Sequence, residues 1–304
     1  MSIDLVVPKE VELSTLLDEL RKLSWASADV LMAYARGSEP PYGFPKSLTV
    51  EEGGDGPVSA ADMAVNELLI SGLKDNLAFK EWDILSEETS KEKTFQQDNY
   101  KKDWCWILDP LDGTKDFLQG SENYAVHIAL AYKKKPKIGI VLIPEKNELW
   151  FGIVGIGAWF ENRDGSKNHF SFSDRLDISK LILVSSKNHQ QSKLNNLLST
   201  LCFGEIKKIG SVGCKVASIL RGDADVYISL SGKTSPKDWD MAAPHALIEA
   251  AGGMFSHADG KNLVYQETNY SQSGCLIASH GKSHQKICQK AMDFFSLEEP
   301  KYFV

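Results

Sequence analysis

The stretch Asp109-Pro110-Leu111-Asp112-Gly113-Thr114 gathers the residue types that metal-assisted phosphoryl chemistry requires. It follows the apolar run Trp104-Cys105-Trp106-Ile107-Leu108, which reads as a buried strand. Pro110 holds Asp109 toward an extended conformation. Asp112-Gly113 reads as a turn. Thr114 stands where a helix N-cap would, ahead of Lys115-Asp116-Phe117-Leu118. Carboxylate and carbonyl oxygens on such a turn can hold a hard divalent cation. The free N–H groups of the following helix start can cradle a phosphate beside it. An ordinary Asx turn would use the same residues with no chemistry, so the other acidic groups matter.

Asp62 starts a helix, Glu87 ends a strand, and Asp240 lies in Trp239-Asp240-Met241-Ala242-Ala243-Pro244 at a helix start. Each is at an element terminus, where functional side chains tend to converge. Alone, each would pass for a cap or a solvated turn carboxylate. The Asp-x-Asp-Gly-Thr motif of aspartate-nucleophile phosphatases fits poorly. It separates its carboxylates by a single residue, whereas Pro110 and Leu111 both intervene here.

The elements that position these groups are legible from periodicity. Residues 11–36 carry Leu16, Leu20, Leu23, Ala26 and Val30 at helical spacing. Residues 37–56 are rich in Gly, Pro and Glu and read as a loop. Ser59-Ala60-Ala61-Asp62 opens a second helix, and residues 82–85 form a short strand. From residue 124 a meander of strands is predicted over 124–132, 137–143, 148–154 and 157–161. The lysine run at 133–137 lies in one of its turns, as a solvated hairpin would. Beyond residue 173 the pattern is mixed. Strands are predicted over 181–185, 225–228 and 275–278, and helices over 189–201, 212–221, 241–251 and 284–295.

The net charge of -7 offers no electrostatic footprint for duplex nucleic acid. It suits a protein that binds cations and brings their charge to an anionic substrate. Five scattered cysteines without a Cys-x-x-Cys pair read as reduced, structural thiols. With no long uncharged apolar run and no targeting segment, the expectation is a cytoplasmic protein without a membrane partner.

Taken together, Ser86-Glu87-Glu88, Trp106 through Thr114, and Trp239-Asp240 through Glu249-Ala250-Ala251-Gly252-Gly253 resemble the motifs of the inositol monophosphatase superfamily. The resemblance runs from Asp62 to about Ser279. It implies a magnesium-dependent, lithium-sensitive phosphatase with a layered α/β/α/β/α sandwich of two packed subdomains. Residues 1–170 would hold most metal ligands, and residues 171–304 Asp240 and the substrate loops. By matched position, Glu87, Asp109, the Leu111 carbonyl, Asp112 and Asp240 would bind two to three Mg2+ ions. Asp62 would hydrogen-bond Thr114, and together with Glu87 they would orient and activate a metal-held water. The N–H groups of Gly113 and Thr114 would hold phosphate oxygens. Glu88 would face solvent or support the site from behind.

Within the superfamily, Thr114-Lys115-Asp116-Phe117-Leu118 is similar to the bacterial branch that hydrolyses 3'-phosphoadenosine 5'-phosphate. Lys115 would approach a phosphate. Ser185-Ser186-Lys187-Asn188-His189 resembles that branch's substrate loop, with Ser186 and His189 as contacts. Gly210-Ser211-Val212-Gly213-Cys214-Lys215 resembles its small-residue helix start, with Gly213 at the ligand and Lys215 reaching the second phosphate. Asp116 and Gln119 depart from many eukaryotic members. The implied partner is a small phosphorylated nucleotide, bound by a monomer or homodimer. An inositol-1-phosphate or sugar-bisphosphate phosphatase on the same fold, and a catalytically silent regulator, are the alternatives. His127 is expected to be a satisfied core or sheet histidine, and His245 a packing residue.

Overall fold

The computed structural model describes residues 7–8, 10–53, 56–75, 82–92, 102–187, 192–231, 235–267 and 269–298. Helix α1 (Leu13–Ala35) buries Leu16, Leu20, Val30 and Leu31, one face of a 3.6-residue period. The segment read as a loop contains an antiparallel hairpin, β1 (Val50–Gly53) and β2 (Gly56–Ser59). Its ladder is made by backbone groups, which a Gly- and Glu-rich composition does not advertise. Helix α2 (Ala60–Asp75) follows directly.

Seven strands build the larger sheet. They are β3 (Asp83–Ser86), β4 (Trp104–Asp112), β5 (Ala125–Tyr132), β6 (Lys135–Ile143), β7 (Glu148–Ile153), β8 (Gly157–Glu161) and β9 (Lys167–Asn168), side by side in that order. Strands β3 and β4 are parallel, and the rest are antiparallel. Two short helices interrupt the series, α3 (Glu87–Glu92) after β3 and α4 (Thr114–Leu118) after β4.

The smaller sheet has the order β11-β10-β12-β14-β13. Its strands are β10 (Ile182–Ser185), β11 (Glu205–Lys208), β12 (Val226–Leu230), β13 (Met254–His257) and β14 (Cys275–Ser279). Helices α5 (Ser192–Leu201), α6 (Val212–Leu220), α7 (Asp238–Ala250) and α8 (His284–Glu298) connect or follow them. Strands β11 and β13 were not expected from the sequence. Both are edge strands, where one-sided pairing leaves little apolar signal.

The layers run α1–α2, larger sheet, α6–α7, smaller sheet, α5–α8, an α/β/α/β/α sandwich. One apolar core fills each side of the larger sheet, and a third lies under α5 and α8. Helix α7 rests on strand backbone. A Cβ on Gly139 of β6 would stand 2.3 Å from the Ala243 carbonyl oxygen, and one on Gly152 of β7 2.4 Å from Leu247 Cα. This contact seats α7 on the larger sheet, where it also meets β4 and β5. Among the described residues, no helix is long and apolar enough to cross a membrane.

Candidate metal centre

A bulge at the end of β4 makes the centre. Asp109 pairs with His127 of β5 and Asp112 with Ala125, so Pro110 and Leu111 together oppose Val126. Side chains alternate along a regular strand, so residues three apart would face opposite sides. The extra residue returns Asp112 to the side of Asp109. Helix α7 brings Asp240 to the same place in its first turn. Ligand oxygens of Asp109, Asp112 and Asp240 lie within 4.8 Å of one another.

Glu87 joins from β3. Parallel pairing sets Ser86 beside Leu108, so Glu87 emerges next to Asp109 at the start of α3. Its neighbour Glu88 is buried rather than solvent-facing. Asp109 is fully buried, and its Oδ2 has no hydrogen-bond partner among the described residues, while the Leu111 N–H donates to its Oδ1 at 3.0 Å. Burial, then the charges of Glu87, Asp112 and Asp240, push the Asp109 carboxyl well above the usual carboxylate range. Burial, then Asp112 and Glu87, push Asp240 up to about 8. Such a cluster is costly until protons or cations neutralise it. The orphaned Asp109 oxygen and an all-oxygen donor set fit a hard cation such as Mg2+.

A second network adjoins it. The Ser59 N–H and hydroxyl donate to Asp62 Oδ2 at 2.8 and 2.5 Å. The Thr114 hydroxyl lies 3.0 Å from Asp62 Oδ1 and 3.1 Å from the Leu111 carbonyl. Burial raises the Asp62 pKa, against the opposing pull of these hydrogen bonds. The sequence reading took Ser59 only as the opening of a helix, although Ser59-x-x-Asp62 is a capping-box pattern that points to this contact. Gly113, at the N-cap of α4, has φ +95°, and a Cβ there would lie 2.9 Å from the Asn123 carbonyl oxygen. Only glycine adopts that turn without strain.

The model of the inositol monophosphatase family matches residues 13–294. The chain belongs to this family. The 3'(2'),5'-bisphosphate nucleotidase CysQ of Buchnera aphidicola subsp. Acyrthosiphon pisum is 33% identical over 213 residues, 69% of this chain and 74% of the relative. The solved Thermotoga maritima IMPase superposes with a TM-score of 0.73 at 21% identity, covering 94% of this chain and all of that one. A solved IMPase/NADP phosphatase, complexed with Mg2+ and phosphate, superposes with a TM-score of 0.68 at 19% identity, covering 91% of this chain and 93% of that one. The layered sandwich is the fold of these structures, and the chain is a phosphatase of the inositol monophosphatase superfamily.

The expected substrate residues within the described structure lie on α4, just beyond β10 and on α6. Lys115 is exposed on α4. Ser186 is half-buried just beyond β10, and His189 lies outside the described residues. Gly213 is buried in the first turn of α6. Lys215 turns inward. Its ammonium donates to the Gly210 carbonyl and sits 5.2 Å from the centre of the Tyr227 ring, and burial lowers its pKa. Lys187, passed over in the sequence, stands beside Ser186 with its ammonium 3.0 Å from buried Asp116. His245 packs in the core, its Nδ1 2.9 Å from the Tyr265 hydroxyl. His127 is a buried strand residue, but it is not satisfied, because its Nε2 makes no hydrogen bond among the described residues.

Proposed function

We propose that the protein is a Mg2+-dependent phosphatase that removes the 3'-phosphate of 3'-phosphoadenosine 5'-phosphate, giving AMP and inorganic phosphate. The convergence of Asp109, Asp112 and Asp240 within 4.8 Å carries this reading. Likeness to the CysQ nucleotidase favours the nucleotide as substrate.

Asp109, Asp112, Asp240, Glu87 and the Leu111 carbonyl would hold two to three Mg2+ ions. Bound there, Mg2+ would lower the pKa of water and offset charge on the departing oxygen. Thr114, fixed by Asp62, orients the attacking water and relays its proton to the Asp62 carboxylate. Burial makes Asp62 a better proton acceptor than an exposed aspartate. The Gly113 and Thr114 N–H groups hold phosphate oxygens. The water oxygen forms a new bond to phosphorus as the bond to the 3'-oxygen breaks; that oxygen leaves as a hydroxyl by taking a proton from solvent, and Asp62 gives its proton back to solvent to close the cycle. No covalent enzyme intermediate is needed.

One observation favours a sugar or inositol phosphate instead. Lys215, the cation assigned to the second phosphate, faces the interior. Phosphate release with Mg2+ from 3'-phosphoadenosine 5'-phosphate, inositol-1-phosphate and fructose-1,6-bisphosphate tests the choice. A strong preference for the nucleotide is expected. Preference for either other ester would keep the phosphatase and sink the nucleotide.

A further inference from the structure

The acidic centre has two arms, the β4 bulge with Asp109 and Asp112, and the first turn of α7 with Asp240. The His127 ring stands between them and belongs to neither. It lies on β5 as the cross-strand partner of Asp109, so it faces the same side of the sheet. Its Nε2 is 3.4 Å from Asp112 Oδ2 on one arm. Its Nδ1 is 3.4 Å from the Trp239 carbonyl oxygen, one residue before Asp240, on the other. The ring is fully buried, and its Nε2 has no hydrogen bond among the described residues.

The space it fills is made by Gly213. A Cβ there would stand 2.3 Å from His127 Nε2 and 2.7 Å from Val141 Cγ1. Gly213 therefore has a steric role at this centre, apart from the substrate contact expected of it.

We propose that His127 is a positioning residue that sets the spacing of the two metal-binding arms, with Gly213 as the gap that admits its ring. The inference rests on the metal-site reading above. Three carboxylates repel one another, and a polar ring touching both arms holds them at a separation that a cation can bridge. Partners of this kind, behind metal ligands, commonly change metal affinity by about 10- to 100-fold when removed.

Mg2+ titration by calorimetry tests this without an activity assay. His127→Leu keeps much of the volume and loses both nitrogens, and its Mg2+ affinity is expected to fall at least about tenfold. His127→Gln returns a polar nitrogen near the Nε2 position and should recover most of that loss. Gly213→Ala should weaken binding in the wild-type background and cost less in His127→Ala, where the clash with the ring is gone and only the one with the Val141 side chain remains. Wild-type affinity in His127→Leu, equal losses in Leu and Gln, or simple additivity of Gly213→Ala and His127→Ala would each overturn the proposal. If His127→Leu does not fold, the Gln variant and the Gly213 cycle decide. A wild-type protein that binds no Mg2+ would sink the metal-site reading and this inference with it. Normal wild-type binding with an indifferent His127 sinks this inference alone.

Discussion

Asp112 caps α6, its Oδ2 accepting the Ser211 hydroxyl at 2.6 Å and the Val212 N–H at 2.5 Å. One carboxylate thus ties the β4 bulge to the inner helix layer while belonging to the metal cluster. The free N–H groups at a helix start favour such an acceptor. Asp112→Asn should therefore stay folded, because its amide oxygen can still accept from Ser211, at a cost of about 1 kcal/mol. The same change removes a ligand charge and should abolish Mg2+ binding and turnover. Thermal melts, calorimetry and phosphate release together check this. Near-wild-type turnover would remove the metal-cluster mechanism.

Mg2+ affinity should depend on pH. Asp240 is pushed up to about 8, so without a cation it holds its proton near neutrality, and burial with the neighbouring carboxylates shifts Asp109 in the same direction. Cation binding needs them ionised and must expel those protons. The sign follows directly. Affinity weakens as pH falls below about 8, because protons compete for the same oxygens, and levels off above it. Titrations in buffers of different ionisation enthalpy would count the protons released. An affinity unchanged from about pH 8 to about pH 6, with no proton release, would contradict the raised carboxyls.

Gly139→Ala should damage both stability and the site. Its Cβ would meet the Ala243 carbonyl oxygen at 2.3 Å and Ala246 Cβ at 2.9 Å. Overpacking of this kind costs about 1–3 kcal/mol. Because α7 must shift to relieve it, Asp240 moves as well, and Mg2+ affinity should fall in parallel with the melting temperature. A variant with normal stability and normal affinity would show that the strand and helix are not in the close contact described.

Lys115→Ala should reduce kcat/KM for the bisphosphate nucleotide by about tenfold or more, as removal of a charge-assisted contact does. A simple phosphate ester should be little affected. Lys115 is exposed on α4, immediately after the Gly113-Thr114 turn. Equal losses on both substrates would show that it does not select the nucleotide.

Much of the site was legible because its groups lie in short local patterns. Asp109, Asp112, Gly113 and Thr114 form one turn, and Asp62 and Asp240 occupy helix starts whose capping signals are read from neighbouring residues. The long helices and the central meander declared themselves by period. The hairpin β1–β2 and the edge strands β11 and β13 did not, since their pairing depends on distant or one-sided partners.

The sequence by itself determined the chemistry available: an oxygen-rich acidic set, a glycine turn with free N–H groups, and the family motifs that contain them. Tertiary structure decided which groups face one another. The β4 bulge put Asp109 and Asp112 on one side, the glycine contact with α7 delivered Asp240, and Lys215 was turned away from solvent. His127 became a neighbour of Asp112 through strand register and the β4 bulge together. Side-chain chemistry and local period are properties of nearby residues in the chain. Register, bulge and layer contacts arise only when distant faces pack, and they set the distances on which metal binding depends.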